Sequence, residues 1–292
     1  MKKERATIPT TQPLTEIWSR IHYFRGTHKG EQILQERISN DFYELDYKTL
    51  FKTKKNRAPM KLEESSIITS RDIRRKAYEL SYDAMQAKEF YDAASGSTEL
   101  IKPVLLHYGM ISLGKMLVDS TFKYGRKSEK HGLQRKTLKK ILVKKSGFFA
   151  RFHDCYNSNP TIYIDQLTFK MEELFSMVPD LRREYKEVYG KKSRIGQTVD
   201  EETQMSEAFI FERDNLKLVF PALTSHFLLM FLFSSLARYK PKEWTNRISG
   251  KYSSEVILIR RFLEVSERRF PNLIINELFN KTFIFAPGMR VM

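Results

Sequence analysis

Residues 101–118 read IKPVLLHYGMISLGKMLV, a stretch that is apolar on nearly every side of a helix and that decides the fold. Pro103 stands in the first turn, where proline is tolerated because the amides there have no carbonyl partner within the helix. The pattern predicts a helix over 104–118 in the centre of the protein. Gly109 and Gly114 would weaken an exposed helix, so we interpret them as positions where another helix approaches closely.

A second apolar stretch, Pro221–Tyr239, predicts the other central helix. Pro241 is expected to end it, because proline cannot continue the backbone bonding and restrains the residue before it. Residues 218–237 carry no charge and are long enough to span a bilayer, which is the alternative interpretation. We favour a buried helix, because the stretch contains several polar residues, is flanked by Lys217 and Arg238, and has no second span beside it.

The rest of the chain predicts a mainly α-helical bundle built around these two helices. Apolar spacings of three and four residues predict further helices over 71–94, 148–156, 164–189 with a break near Pro179, and 254–269. Ser70 is expected to cap the first of these and Pro271 to close the last. The polar residues 191–207 predict a loop. We divide the chain into an N-terminal region, 1–69, and a helical domain, 70–292.

The composition fits a cytoplasmic protein with an ample core. Of the 292 residues, 41% are hydrophobic and 13% aromatic, which is enough to fill it. The single Cys155 cannot form an internal disulfide, which suits a reducing compartment. Residues 1–13 lack the apolar core of a secretory signal. Glycine-rich phosphate loops and HExxH or CxxC motifs are absent from the sequence, so we expect no cofactor and no bound metal.

The charge is concentrated in one segment, residues 123–151. It holds eleven lysines and arginines against one acid, and therefore accounts for +10 of the formal +16 of the chain. The bases are Lys123, Arg126, Lys127, Lys130, Arg135, Lys136, Lys139, Lys140, Lys144, Lys145 and Arg151. Like charges at this density repel unless an anion neutralises them. The segment therefore predicts a surface that binds RNA, DNA or another polyanion, and the alternative is a solvated basic face.

Local patterns in this segment predict a small excursion from the helical body, either β-hairpin-like or a strand, a turn and a helix. Gly132 and Gly147 punctuate it, the run Ile141–Val143 favours a strand, and residues 144–147 are the expected turn. Four aromatic residues follow and could either stack on unpaired bases or belong to the core. They are Phe148, Phe149, Phe152 and Tyr156, and we favour the core for Phe149 and Phe152.

Three histidines outside the hairpin, His107, His153 and His226, invite a functional interpretation. His107 and His226 lie in the two central helices and could face each other as a metal-binding or proton-shuttling pair, although a buried histidine more often only finds a hydrogen-bond partner. His153 is close to Cys155 in sequence. Residues at that spacing on a helix point in different directions, so they cannot meet as a nucleophile and its base.

The order of several sequence blocks resembles the bacterial YaaC-like family over most of the chain beyond about residue 70. The blocks are residues 101–110 with Leu113 and Lys115, His131-Gly132-Leu133, Gly147-Phe148-Phe149, residues 226–229, Arg238-Tyr239, Trp244, Phe262-Leu263 and Phe270-Pro271. The resemblance implies a helical protein without a settled biochemical role. The helix pair is also similar, at the level of fold, to the HEPN superfamily, many of whose members are ribonucleases of toxin and defence systems.

Arg126 and His131 have the spacing of the HEPN ribonuclease motif, in which an arginine precedes a histidine by a few residues. Such a pair supplies a cation for the phosphate and a group that moves a proton near neutral pH. This resemblance implies a metal-independent ribonuclease, although the YaaC-like pattern includes His131 but not Arg126. Phosphate contact without catalysis, or turn geometry at Gly132, are the alternatives. The competing function is a non-catalytic regulatory subunit that docks an acidic protein partner through the same surface.

Overall fold

The computed structural model describes residues 4–39, 69–121, 131–144, 147–156, 167–191, 196–197, 208–213, 216–250 and 254–286. The helices are α1 (Pro13–His22), α2 (Thr27–Ser39), α3 (Ser70–Ser95), α4 (Lys102–Asp119), α5 (Phe148–Tyr156), α6 (Met171–Ser176), α7 (Arg182–Tyr189), α8 (Ala222–Tyr239), α9 (Pro241–Ile248) and α10 (Glu255–Leu278). Short 3-10 turns occupy Tyr23–Arg25 and Pro179–Leu181. The protein is mainly α-helical, as the sequence predicts.

The two predicted central helices, α4 and α8, pack against each other in the core. All residues of α8 from Ala222 to Leu236 are buried. Gly109 of α4 lies against the ring of Tyr91 in α3, and Gly114 lies against Phe148 in α5. The prediction that these glycines permit close approach is therefore confirmed. None of the described helices is long and apolar enough to cross a membrane.

The start of α3 shows that the predicted cap is wrong by one residue. Thr69, not Ser70, stands before the first turn: its hydroxyl accepts a bond from the amide of Asp72 at 3.2 Å, and the Asp72 carboxylate accepts from the amide of Thr69 at 3.2 Å. This reciprocal pair satisfies two amides that the helix itself cannot. Ser70 becomes the first helical residue instead.

Pro271 does not close the last helix, so that prediction is wrong. Helix α10 continues through Pro271 to Leu278. The proline removes one backbone bond, but the turns beyond it bury Leu273, Ile274 and Ile275 completely or nearly so. Burial of three aliphatic side chains is worth several kcal/mol, about 1.5–3 for each, and outweighs the roughly 3 kcal/mol that proline costs inside a helix.

Within the described ranges, three small sheets accompany the helices. Strands β1 (Glu4–Pro9) and β8 (Lys281–Ala286) pair in parallel, with Glu4 opposite Lys281. An antiparallel sheet contains β2 (Leu133–Thr137), β3 (Lys140–Val143) and β4 (Thr168–Lys170) in that order. Another contains β5 (Gly196–Gln197), β6 (Ala208–Arg213) and β7 (Leu216–Pro221).

These strands revise two predictions. The helix predicted over 164–189 is a strand at 168–170 followed by α6, the turn at Pro179 and α7, while residues 164–166 lie outside the described part. The loop predicted over 191–207 includes β5, and its remaining residues after Lys191 lie outside the described part. Strand β4 forms because it pairs with β3, which is distant from it in sequence, whereas β5 pairs with β6, the next strand along the chain.

Candidate functional site

The predicted excursion is a real hairpin whose outer face is basic. Ile141 and Val143 of β3 are buried, whereas Lys140 and Lys144 beside them are exposed, as the alternation of side chains along a strand requires. Lys136 of β2 is exposed as well. The hairpin turn falls at residues 138–139 and not at the predicted 144–147, which stand between β3 and α5 in the sequence; of these, residues 145–146 lie outside the described part.

Two of the predicted binding residues, Arg135 and the exposed Lys139, also anchor the hairpin to the helical body. Arg135 is opposite the buried Ile141, and its Nε donates a hydrogen bond of 2.9 Å to Ser235 Oγ on α8. Lys139 Nζ donates to Glu255 Oε1 at 3.1 Å. The basic outer face therefore has a fixed position beside α8.

Glu255, at the start of α10, is buried and collects three donors. Besides Lys139, it accepts from the Tyr189 hydroxyl at 2.9 Å and from Arg247 Nη1 at 3.0 Å. Burial, followed by the negative charge of Glu255, raises the pKa of Tyr189, so this hydroxyl stays protonated and donates. The cluster joins the hairpin tip, α7, α9 and α10 at one carboxylate.

The other predicted residues divide into two groups. Lys136, Lys140 and Lys144 are exposed, and Arg151 lies half-buried on α5. Lys123, Arg126, Lys127, Lys130 and Lys145 lie outside the described residues, so the pairing of Arg126 with His131 stays a prediction.

His131 sits at the entrance to the hairpin, where its backbone is held on two sides. Gly132 has a φ of +73°, which confirms that this position needs glycine. The carbonyl of His131 accepts a bond of 3.1 Å from the amide of Phe149, at the start of α5, and the carbonyl of Gly132 accepts one of 2.8 Å from Lys144. Residue 131 is exposed as a whole, although its ring is partly buried.

His131 belongs to a group that we call the Arg238 cluster. Its members are Tyr108, Lys115, His131, Arg238 and Tyr239. Arg238 Nη1 donates to the Tyr108 hydroxyl at 3.1 Å, and its guanidinium lies 5.6 Å from the ring centre of Tyr108 and 5.0 Å from that of Tyr239. Tyr108 is 36% exposed and Tyr239 is 63% exposed. An arginine beside an exposed aromatic ring offers a phosphate contact together with a stacking surface, which Tyr239 supplies. Tyr108 already stacks on Phe90, with ring centres 5.5 Å apart, and holds Arg238 in place.

The charges of this cluster act on His131. Partial burial of its ring, followed by the positive charges of Arg238 and Lys115, lowers the pKa of His131. Its ring centre is 6.4 Å from that of His107, which in turn is 6.2 Å from Tyr108. A histidine with a lowered pKa is neutral near pH 7 and can accept a proton.

His107 and His226 do not form the pair that the sequence suggests. The ring of His107 packs against Phe227 and Phe231 at 5.3 and 5.7 Å, and burial lowers its pKa to about 3. His226 shares a hydrogen bond of 2.8 Å with Ser266 Oγ and stacks on Phe262. Phe227, one residue along α8, occupies the side that faces His107. Among the described residues no group of three His, Cys, Asp or Glu could hold a metal ion.

The aromatic residues after the hairpin belong to the core. Phe148, Phe149 and Phe152 are buried and surround Phe227 at ring distances of 5.3–6.0 Å. They cannot stack on bases, and the side chain of Tyr156 lies outside the described part. The aromatic surface beside the basic hairpin comes instead from Tyr239, which is distant from it in sequence.

Sequence reasoning missed the Arg238 cluster apart from His131. Tyr108 lies in a helix that is apolar on all sides, and Arg238 with Tyr239 looks like the ordinary polar end of α8. Lys170 was also missed: it is exposed directly opposite Lys140 in the sheet and extends the basic face. The sequence signal that could have indicated the Arg238 cluster is Tyr239 directly after Arg238, at the end of a predicted helix.

Comparison with known proteins bears on the family. A family model described as YaaC-like Protein matches residues 42–217 and 201–278, which together span most of the chain. No curated protein and no solved structure matches this chain. The match includes both central helices, the basic hairpin and the Arg238 cluster. The chain therefore belongs to the YaaC-like protein family.

Proposed function

We propose that this protein binds single-stranded RNA, with phosphates on the basic hairpin and at Arg238 and with a base on Tyr239. The observation that supports this proposal is the position of Arg238 beside the exposed Tyr239, on the helix to which Arg135 anchors the hairpin. Ser235, which bonds Arg135, and Arg238 are one turn apart on α8. The phosphate contacts and the stacking surface are thus neighbours.

The aromatic component favours a single strand over a duplex. Bases that are paired and stacked within a helix cannot stack on a protein ring, whereas unpaired bases can. Exposed lysines contribute a sequence-independent attraction to phosphates and a strong dependence on salt. Lys136, Lys140 and Lys144 supply it, and Lys170 adds a further positive charge.

We extend the proposal to cleavage of the bound RNA without a metal ion. Neutral His131 accepts the proton of a ribose 2′-hydroxyl, whose oxygen attacks the adjacent phosphorus, while the cation of Arg238 neutralises the phosphate. The bond from phosphorus to the 5′-oxygen breaks, and that oxygen takes a proton from water. The products are a 2′,3′-cyclic phosphate and a 5′-hydroxyl end. Arg126 is the second candidate for the phosphate contact.

The proposed activity is the one that a HEPN-like helix pair would imply, and that resemblance is itself part of the proposal. A metal-independent ribonuclease of this kind would act in the bacterial cytoplasm, as an effector of a defence or toxin system. The competing proposal is a regulatory subunit whose basic hairpin docks an acidic protein. Preference for an acidic protein over RNA in the measurements below would support that subunit role.

The first experiment measures binding across a salt series. The affinity of a fluorescein-labelled single-stranded RNA, a DNA of the same sequence and heparin is determined by anisotropy for the wild type and for Lys136→Glu/Lys140→Glu/Lys144→Glu. Each lost phosphate contact lowers the slope of log K against log salt by about 0.7, so the triple variant should lose about 2 from the slope. The control, Lys29→Glu/Lys186→Glu/Arg268→Glu, changes the net charge equally at exposed positions elsewhere. Equal slopes for both triple variants would reject the hairpin as the binding surface.

A second comparison tests stacking. Tyr239→Ala should weaken RNA binding about 5-fold to 150-fold, the range for loss of one stacked base. Tyr82→Ala is the matched control, because Tyr82 is 65% exposed on α3 and Tyr239 is 63% exposed. Equal affinity of the two variants would remove Tyr239 from the site.

Cleavage is tested with total RNA in EDTA. The wild type should produce cyclic phosphate ends, and His131→Gln should lose cleavage while it retains RNA affinity. His28→Gln, at another exposed histidine, should cleave normally. Identical products from wild type and His131→Gln would exclude His131 as the proton acceptor.

A further inference from the structure

Helix α3 buries one side against the body of the protein and, within the described ranges, exposes the opposite side. The exposed residues recur at alternating spacings of four and three: Arg71, Arg75, Tyr78, Tyr82, Met85, Glu89 and Asp92. We call them the α3 stripe. This spacing is that of a coiled-coil seam, which keeps one line of side chains turned toward a second helix.

The centre of the α3 stripe consists of large side chains that are exposed to solvent. Tyr78 is 49% exposed, Tyr82 is 65% exposed and Met85 is 37% exposed. Single exposed apolar residues are ordinary, but these three follow one another along the stripe and form one patch. Tyrosine, methionine and arginine are the residue types that protein interfaces favour. The patch therefore has the composition of the core of an interface.

The charges at the two ends of the α3 stripe have opposite signs. The exposed residues near the start of the helix include Arg71, Arg74 and Arg75, whereas those near its end include Glu89 and Asp92. This order opposes the helix dipole, which favours anions at the start of a helix and cations at its end. A partner with the reverse order of charges would relieve this unfavourable arrangement.

The ion pairs that these residues make within the chain leave them accessible to such a partner. Arg75 Nη2 lies 3.3 Å from Asp72 Oδ1, and the two side chains are 62% and 38% exposed. Lys88 is bonded to Asp92, whose side chain is 57% exposed. Exposed pairs of this kind contribute little to stability, so their charges can be shared with a second molecule.

A second copy of α3 running in the opposite direction has the required order of charges. Arg75 and Glu89 are each seven residues from Tyr82. A twofold axis at Tyr82 therefore places Arg75 of each copy opposite Glu89 of the other, and Arg71 near Asp92. A parallel copy would place arginine opposite arginine, and an acidic helix of another protein would match only the first half of the stripe. The charges favour an antiparallel pair of identical helices.

We propose that two copies of this chain associate through their α3 stripes, which pair in antiparallel orientation with Tyr82 at the twofold axis. The α3 stripe shares no residue with the Arg238 cluster or the basic hairpin, so the proposal stands independently of RNA binding. Because Tyr82→Ala removes the central contact, its use as a control for RNA binding requires protein concentrations below the dissociation constant of the dimer.

Sedimentation velocity over about 5 to 200 µM protein measures the association. The wild type should approach twice the 34.6 kDa of the chain as its concentration rises. Arg75→Glu and Glu89→Arg each replace two attractions by two repulsions and should weaken the dimer about 10-fold to 100-fold. The matched controls are Arg183→Glu and Glu187→Arg, at side chains of α7 that are 86% and 56% exposed, and they should associate as the wild type does.

The decisive variant is Arg75→Glu/Glu89→Arg, which keeps the net charge of the wild type and exchanges the two ends of each ion pair. It should restore the affinity of the dimer to within about threefold of the wild type, because each glutamate again faces an arginine. Circular dichroism checks that all variants are folded. A wild type that stays monomeric at about 200 µM, single reversals that dimerise as the wild type does, or a double variant that stays as weak as the single ones would overturn the proposal.

Discussion

The closeness of α3 and α4 makes Gly109→Ala a demanding test of the fold. A Cβ atom at this position would lie 2.6 Å from both Cδ2 and Cε2 of Tyr91, and 3.4 Å from Cβ of Phe90. Real Cβ contacts are longer than 3 Å, so one helix must move or the ring must turn. Tyr91 cannot turn freely, because it is buried against Trp18.

Two opposing effects set the magnitude. Alanine in place of glycine inside a helix is favourable by about 1 kcal/mol, since glycine loses more backbone entropy on folding. Overpacking a filled core costs about 1–3 kcal/mol, and a contact this short belongs at the upper end. We expect a net loss of about 2 kcal/mol. For a chain of this length the unfolding entropy converts that loss into a decrease of about 3 °C in Tm.

Urea denaturation followed by circular dichroism measures the loss. Gly96→Ala is the control, because a Cβ there would meet nothing within 4 Å and its φ is not positive; it should change stability by less than about 0.5 kcal/mol. A double-mutant cycle with Tyr91→Ala should remove most of the cost of Gly109→Ala. If Gly109→Ala is as stable as the wild type, or costs the same in both backgrounds, the packing argument is refuted.

Two further substitutions test the polar core. Glu255→Ala should lower the free energy of unfolding by about 2–3 kcal/mol, measured by urea denaturation, because Tyr189 and Arg247 lose their acceptor. The control is Glu264→Ala, which removes a 71% exposed partner of Arg261 and should cost far less. Equal losses would contradict the anchoring role of Glu255. Burial lowers the pKa of His153 to about 4. Between about pH 6.5 and 4 the unfolded chain therefore binds a proton that the folded chain does not bind. The free energy of unfolding decreases as the pH is lowered through this range, by up to about 1.4 kcal/mol per pH unit. His153→Phe should therefore gain stability relative to wild type as urea denaturation is moved from about pH 7 to 5, and a constant difference would contradict this.

The central helices could be predicted from sequence because their signal is local and continuous. Apolar residues on every face of α4 and α8 leave burial as the only stable outcome, and the two glycines of α4 indicate where neighbours approach. The hairpin was predictable for the same reason, from the run at 141–143 between glycines. A glycine at position 132 also predicts a backbone angle that other residues resist, and the observed φ is +73°.

What escaped prediction depends on contacts between distant parts of the chain. Tyr108 and Arg238 meet only because α4 and α8 lie side by side, and no local pattern specifies which turn of one faces which turn of the other. The same holds for Lys139, whose partner Glu255 is on another helix. At Pro271 a local rule failed because burial of the side chains that follow stabilises the helix by more than the proline costs.

The parallel pairing of β1 with β8 joins residues from near the two ends of the described chain. On the ribosome, β1 emerges long before β8 and cannot find its partner until residues 281–286 have been synthesised. Helices α3 and α4, which are adjacent in sequence, can already pack by then, because contacts between neighbours form faster than contacts across a long loop. During synthesis β1 therefore presents an open strand edge, and this two-stranded sheet is completed only after the residues between its two strands have been made.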